Sequence, residues 1–402
     1  MRDIKEVVIV DGCRTAVGSI GGTLKSVPAD KLAEVCIRGL LDRTGIKPDV
    51  VEEVIMGQCR QSSDEPNVAR IAALRCGIPE SAPAYTVMRQ CASGLCAVNN
   101  AVMSIMTGEH ECVIAGGTES MSGAIFYIRG ARYGVGTGNT ILVDALTEGQ
   151  FRSQPQEIYG TFNMGLTAEN VAEQMNISRE DQDAFAYESQ VRAHRAIAEG
   201  RFKDEIVPVV IPQKKGDPIV FDTDEYPRDT SPEKLAKLKP AFKKEGGTVT
   251  AGNSSGRNDG ASAMLIMSAD KAKELGLKPI ARFVSHATAG VDPRVMGLGP
   301  VPAIKKALAN AEMSLDDIQL IELNEAFAAQ SLGCIRQLGL EDRMDIINVN
   351  GGAIALGHPV GSSGCRIVVT LMHEMKKRGL KYGLAALCIA GGMGTADIIE
   401  ML

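Results

Sequence analysis

Residues 301–326 read VPAIKKALANAEMSLDDIQLIELNEA, and residues 32–57 read LAEVCIRGLLDRTGIKPDVVEEVIMG. Each is an amphipathic helix, a short polar link, an acidic turn and then an apolar strand. A second pair stands in the same order, CVIAGGTES at 112–120 and CIAGGMGTA at 388–396, each a buried strand running into paired glycines. Two matched blocks in one order point to an internal duplication: two related α/β halves stacked together.

The segments around these blocks fit that architecture. Val7, Val8, Ile9 and Val10 form a continuous β-branched run, the mark of a strand buried on both faces. Helical spacing covers 29–43 and stops at Gly45, a strand leads into Gly57, and Pro66 opens a short helix over 66–76. Residues 85–88 read as a strand, 93–106 as a small-residue helix, and 112–115 as a strand closed by Gly116 and Gly117. Strands separated by helices predict layers around a largely parallel sheet. Residues 120–250 break the pattern and read as an insertion over one face, a candidate lid. Within it, Ser178 and Asp181 open a helix near 179–199, and 208–232 read as loop.

Composition narrows the function. The 402 residues carry a net charge of −6 and 4% aromatics, with no Trp, which speaks against a nucleic-acid binder. No apolar run reaches the roughly 18 residues of a membrane span. The opening Met1–Glu6 lacks the regions of a secretory signal, and the closing Ile399–Leu402 lacks a Ser-Lys-Leu address, so a cytoplasmic protein is expected. The ten cysteines and five histidines show neither Cys-x-x-Cys nor zinc spacing, so no metal site is expected. Gly, at 43 residues, is plentiful and marks tight turns or close backbone approaches.

Four residues stand out for chemistry. Cys91, in VMRQCASGL, lies where a strand hands over to a helix. Unpaired N–H groups and the helix dipole there favour a thiolate, and by position alone another buried cysteine fits equally well. His358 sits in NGGAIALGHPVGSSG at 350–364, a loop with five glycines. A neutral imidazole there can deprotonate a thiol, or it can hydrogen-bond the loop. Cys388 ends an apolar strand and opens a glycine turn, the place where α/β sheets build sites. Asn324 follows a strand in the same way, either to orient a water or to cap a helix.

Six motifs in order, QCASGL at 90–95, AGNSSGRNDGA at 251–261, VMGLGPVPA at 295–303, NEAFA at 324–328, the 350–364 loop and CIAGGMG at 388–394, make the whole chain resemble the thiolase family. The resemblance implies an α/β fold of duplicated βαβαβαββ halves in a five-layer αβαβα arrangement. The N-terminal half would be 1–119 with 250–270, the inserted loop domain and CoA-binding lid 120–249, and the C-terminal half 271–402. It implies reversible condensation of two acetyl-CoA to acetoacetyl-CoA and thiolysis of 3-ketoacyl-CoA. CoA and acyl-CoA are then substrates, with no tightly bound cofactor and no metal, and the partner is a second copy in a homodimer or homotetramer.

By the same resemblance, Cys91 carries the acyl group and His358 takes its proton. Asn324 holds a water in one oxyanion hole, and Cys388 exchanges a proton with the α-carbon. The N–H groups of Cys91 and Ala390 form a second oxyanion hole, Ser255 and Arg228 contact CoA, and Met296 borders the acyl pocket. Lysines 234, 237, 239, 243 and 244 either attract CoA phosphates or form a solvated face. Two positions depart from the family pattern: Met88 stands where many relatives have Asn, and Asn163 where short-chain relatives have His. Both bear on chain length. The alternatives are a longer-chain 3-ketoacyl-CoA thiolase, a decarboxylating condensing enzyme, which would want a histidine in place of Asn324 or Cys388, and a non-catalytic thiolase-like subunit.

Overall fold

Side-chain alternation along the strands sets the layers of this computed structural model, which describes residues 4–402. The expectation drawn from the opening residues falls partly on 1–3, outside the described residues. In β1 (Val7–Arg14), Val8 and Val10 face one core while Val7 and Ile9 face another. The same period of two runs through β2 (Glu53–Gly57), β4 (Cys112–Ser120) and β5 (Asn258–Ser268), with β3 (Ala84–Val87) at the edge. The outer core is sealed by α1 (Ala29–Thr44) and α2 (Val68–Arg75). The inner core holds α3 (Ser93–Met106), which packs Leu95, Val98 and Val102 beneath the sheet.

The second half repeats this plan. Its strands are β6 (Ala281–Gly290), β7 (Leu320–Leu323), β8 (Tyr382–Ile389) and β9 (Met393–Met401). Leu384, Ala386, Ala396 and Ile398 face an outer core under α6 (Pro300–Asn310) and α7 (Ala328–Leu338), while Ala385, Leu387 and Ile399 face the inner core. That inner core also receives α8 (Val360–Arg378) through Cys365, Val368 and Leu371, so α3 and α8 are sandwiched between the two halves of the sheet. The result is the expected αβαβα stack. The strand order β7-β8-β9-β6-β1-β5-β4-β2-β3 is near-palindromic about the β6–β1 seam, as a duplication requires. Two residue pairs make that seam, Val8 with Arg282 and Ile9 with Ala281. The counterpart of β3 in the second half is reduced to a single bridge between Ile321 and Ile347.

Two expectations need correction. The sheet is not largely parallel. Only β2–β3, β2–β4 and β7–β8 pair parallel, and the ladders around the seam are antiparallel. In the second half β8 and β9 are joined by residues 390–392, too few for a crossover, so they must run antiparallel, and β4 and β5 pair the same way across the insertion between them. Gly116 and Gly117 do not close a strand either: β4 continues through them to Ser120. They sit there because other backbones press on them.

Between β4 and β5 lie α4 (Met164–Gln174) and α5 (Arg179–Ala198), capped by Asn163 and Ser178. Residues 208–232, expected as loop, include a small hairpin of Val209–Ile211 and Ile219–Phe221. Helix α5 is tied to the second half, with Arg192 donating to the Met344 and Ile347 carbonyls. Helix α4 packs Ala168, Val171 and Ala172 against Met296, Phe327 and Cys388. Among the described residues no helix is long and apolar enough to cross a membrane.

Candidate active site

The N-termini of α3 and α8 meet over the ends of β2 and β4. A Cβ on Gly94 would lie 2.8 Å from the Gly361 carbonyl oxygen, so the first turns of the two helices touch backbone to backbone. This contact places the residues that precede each helix, Cys91 and His358, on the wall of one cleft of about 170 Å³.

Cys91 is set by a tight turn. Gln90 adopts φ +48°, in the left-handed region, which is unusual for a residue with a side chain. Ser93 holds the turn: its Oγ accepts the Arg89 N–H at 2.9 Å and donates to the Gln90 carbonyl at 2.7 Å. The Cys59 thiol braces it from below, 3.1 Å from Gln90 Oε1. Among the described residues Cys91 is the one cysteine that is not buried. Its thiol pKa is nonetheless raised, because desolvation outweighs the opposing Ala390 and Cys91 backbone N–H groups and the Arg60 guanidinium. The helix N-terminus eases ionisation, but burial dominates.

His358 completes the pair. Its backbone N–H donates to Asn258 Oδ1 at 2.9 Å, which anchors the glycine loop to β5. Nδ1 lies 2.6 Å from Ser363 Oγ, and that hydroxyl lies 2.9 Å from the Pro359 carbonyl, which can only accept. With its hydrogen on Pro359, Ser363 accepts from the ring, so this network assigns the proton to Nδ1. Nε2 is then an unprotonated lone pair, and it has no protein partner. Burial, helped by Arg366, pushes the imidazole pKa down to about 4, so the ring is neutral near pH 7.

Cys388 is fully buried just behind the cleft, packed with Met296 and Phe327. Its pKa is raised well above the ordinary thiol value, first by burial and then by the neighbouring Cys91. Asn324 is 1% exposed, and neither end of its amide has a protein partner. A buried amide in that state suits an ordered water. Ser255, Met296 and Ala390 line the cleft. The 251–256 loop is joined to the NEAFA segment, with Ser255 N–H donating to the Ala326 carbonyl at 3.0 Å.

Other residues stand elsewhere. Arg228 is outside the cleft, donating to the Ala251 and Ile354 carbonyls. Met88, 53% exposed, does not line it. Asn163 caps α4, its Oδ1 accepting the Leu166 N–H at 3.0 Å, and only its neighbours Met164 and Gly165 reach the cleft. Sequence reasoning missed Ser363, Arg60, Phe242, Asn258 and Glu119. For Ser363 the signal was available: it stands five residues after His358, across the first turn of a helix.

The thiolase N-terminal domain matches residues 7–270 and the thiolase C-terminal domain matches 277–401. An acetyl-CoA acetyltransferase of Syntrophomonas wolfei is 53% identical over 99% of this chain and 100% of its own length. One from Cupriavidus necator is 52% identical, covering 98% and 99%. The crystal structure of the Bacillus anthracis acetyl-CoA acetyltransferase is similar with a TM-score of 0.96 at 45% identity, over 100% of both chains. Human mitochondrial 3-ketoacyl-CoA thiolase in complex with CoA has a TM-score of 0.93 at 43% identity, covering 99% of this chain and 98% of that one.

Proposed function

This chain belongs to the thiolase family, and from that premise we propose that it is an acetyl-CoA C-acetyltransferase working through a thioester on Cys91. The observation that carries the reading is the pairing of a neutral His358, its Nε2 free, with a protonated Cys91 on one cleft wall. Neither group is ionised at rest, so the thiol proton moves to Nε2 as sulfur attacks the 3-keto carbon. The C2–C3 bond then breaks, its electron pair goes to C2, and the Cys388 thiol supplies the proton that completes acetyl-CoA. The thiol of an incoming CoA attacks the Cys91 thioester and releases the second acyl-CoA. Condensation is the same path reversed, with Cys388 removing the α-proton.

The developing oxyanions have two sets of donors. The backbone N–H groups of Cys91 and Ala390 already address the Cys91 sulfur, so they are placed for an oxyanion bonded to the acyl carbon. His358, once protonated, serves the enolate with a water on Asn324. Each such donor contributes about 3–4 kcal/mol to the transition state. Ser255 and Met296 contact pantetheine and the acyl group from the cleft wall. Arg228 acts on CoA only through the 251–256 loop it holds. The segment 120–249 is the CoA-side lid, standing between the halves 1–119 with 250–270 and 271–402.

A homodimer or homotetramer fits the surface. Edge strand β3 and the residue after it leave Tyr85 and Met88 exposed, and the lid exposes Ile141, Leu142 and Tyr133, the last 93%. Ten free cysteines suit the reducing cytoplasm.

CoA-dependent thiolysis of acetoacetyl-CoA and of a longer 3-ketoacyl-CoA tests the reading. Turnover of acetoacetyl-CoA alone is expected, and better turnover of the longer substrate makes this a longer-chain thiolase. Cys91→Ala should lose the acyl-enzyme seen by intact-protein mass spectrometry. Cys388→Ala should still acylate yet lose α-proton exchange in deuterated water. A thioester that persists without Cys91 would sink the mechanism.

A further inference from the structure

We propose that Glu119 is a positioning residue for this acyl transfer, its two carboxylate oxygens pinning the loop that carries His358 to the one that braces Cys91. The proposal rests on the function given above. Glu119 is fully buried, at the end of β4. Its Oε2 accepts the Gly361 N–H at 2.9 Å and the Cys59 N–H at 3.0 Å, and its Oε1 accepts the Arg60 N–H at 3.0 Å.

Each of these partners leads to the chemistry. Gly361 lies in the first turn of α8, just after His358. That helix has Pro359 at its N-cap and no capping side chain of its own, so Glu119 satisfies one of its orphan N–H groups from another strand. A carboxylate there also meets the positive end of the helix. Cys59 turns its thiol to Gln90, the residue before Cys91. Arg60 lines the cleft itself. One side chain therefore sets the separation of the nucleophile from its base, without touching substrate.

Three N–H donors favour the ionised carboxylate, since protonation weakens both oxygens as acceptors and adds a buried O–H that needs an acceptor of its own. Burial pushes the Glu119 pKa up to about 7 against those donors and the Arg60 guanidinium. The Cys59 and Cys91 thiols are raised, and His358 is at about 4. Asp259, on the adjacent strand β5, is also raised by burial, but its carboxylate turns away to Ser122. Activity should rise through pH 7 on a limb that belongs to Glu119.

The experiment compares wild type, Glu119→Gln and Glu119→Asp by thiolysis of acetoacetyl-CoA from pH 5.5 to 9, and by the rate at which iodoacetamide alkylates Cys91. Glu119→Gln places an amide nitrogen against an N–H. Its kcat should fall about tenfold or more with KM for CoA little changed, and the limb near pH 7 should vanish from both readouts. Glu119→Asp, folded with its charge kept but its reach shortened, should lose rate and retain the limb. Wild-type kcat and an unchanged limb in Glu119→Gln overturn the proposal, as does wild-type kcat in Glu119→Asp should Glu119→Gln not fold. A wild type that alkylates with the limb but does not turn over acetoacetyl-CoA instead defeats the functional reading and leaves the pinning supported.

Discussion

A Cβ on Gly117 would stand 2.0 Å from the Gly361 carbonyl oxygen. The contact is backbone on backbone, so no side-chain rotation relieves it. Gly117→Ala must push α8 off β4 and carry His358 with it. A stability loss of about 3 kcal/mol or more is expected, because the core is already close-packed. Urea unfolding measures it, and acyl-enzyme formation should fall in the protein that remains folded. Gly116→Ala is not a neutral control, since a Cβ there meets the Ser262 carbonyl oxygen at 2.1 Å.

Ser363 decides which imidazole nitrogen is the base. Ser363→Ala leaves Nδ1–H buried without an acceptor, a penalty of about 1–3 kcal/mol that the ring can escape by moving its proton to Nε2. That tautomer cannot accept from Cys91. The expected result is a kcat lower by about tenfold to a hundredfold, with CoA KM nearly unchanged. Imidazole nitrogen chemical shifts in labelled protein should report the change of tautomer.

Acid sensitivity follows from His358. The fold accepts its neutral form and pushes the pKa down from 6.5 to about 4. Between those values the unfolded chain binds a proton that the native state refuses, so stability falls as pH drops from 6.5 toward 4. The loss is about 3 kcal/mol over that range. Glu119 and Glu322 act in the opposite sense, since burial raises them to about 7 and about 8 and their cost grows as pH rises. The histidine's share appears as the difference in stability slope between wild type and His358→Ala, measured at pH 7 and pH 5.

Chain length should follow the cleft wall rather than the two departures from family pattern. Asn163→Ala removes a helix cap worth about 1 kcal/mol and should lower Tm without changing the ratio of acetoacetyl-CoA to longer-substrate turnover. Met88→Asn should leave the ratio alone as well, because Met88 is outside the cleft. Met296→Ala, which removes a 2% exposed side chain from the wall, should shift the ratio toward longer chains. Parallel assays on the two substrates check all three.

Much of this was legible in the residues. The duplication showed in the helix-to-strand blocks, and the density of glycines around His358 marked a loop that must approach other backbone closely. What stayed hidden depends on partners distant in the chain. Gly116 and Gly117 read as a turn, because a glycine pair needed for crowding looks the same as one needed for positive φ. The desolvation at Cys91 was not legible, because local sequence displays a helix N-terminus but not the burial that opposes it. Glu119 gave no sign at all. Its partners lie near residues 60 and 361, and only the crossing of α8 over β4 brings them together.

The near-palindromic strand order bears on how the chemistry could have arisen. Cys91 precedes α3 and His358 precedes α8, and those helices hold equivalent places in the two halves. Counted past the parallel ladders that end at Gly57–Gly117 and Leu323–Ala386, Glu119 and Cys388 are equivalents too, so the sequence blocks 112–120 and 388–396 match out of structural register. An ancestor assembled from two identical copies would have set thiol against thiol and imidazole against imidazole at these positions. A nucleophile that meets a base needs the copies to differ. The division of labour in this cleft thus became available only when each copy had its own stretch of coding sequence and could accumulate its own substitutions.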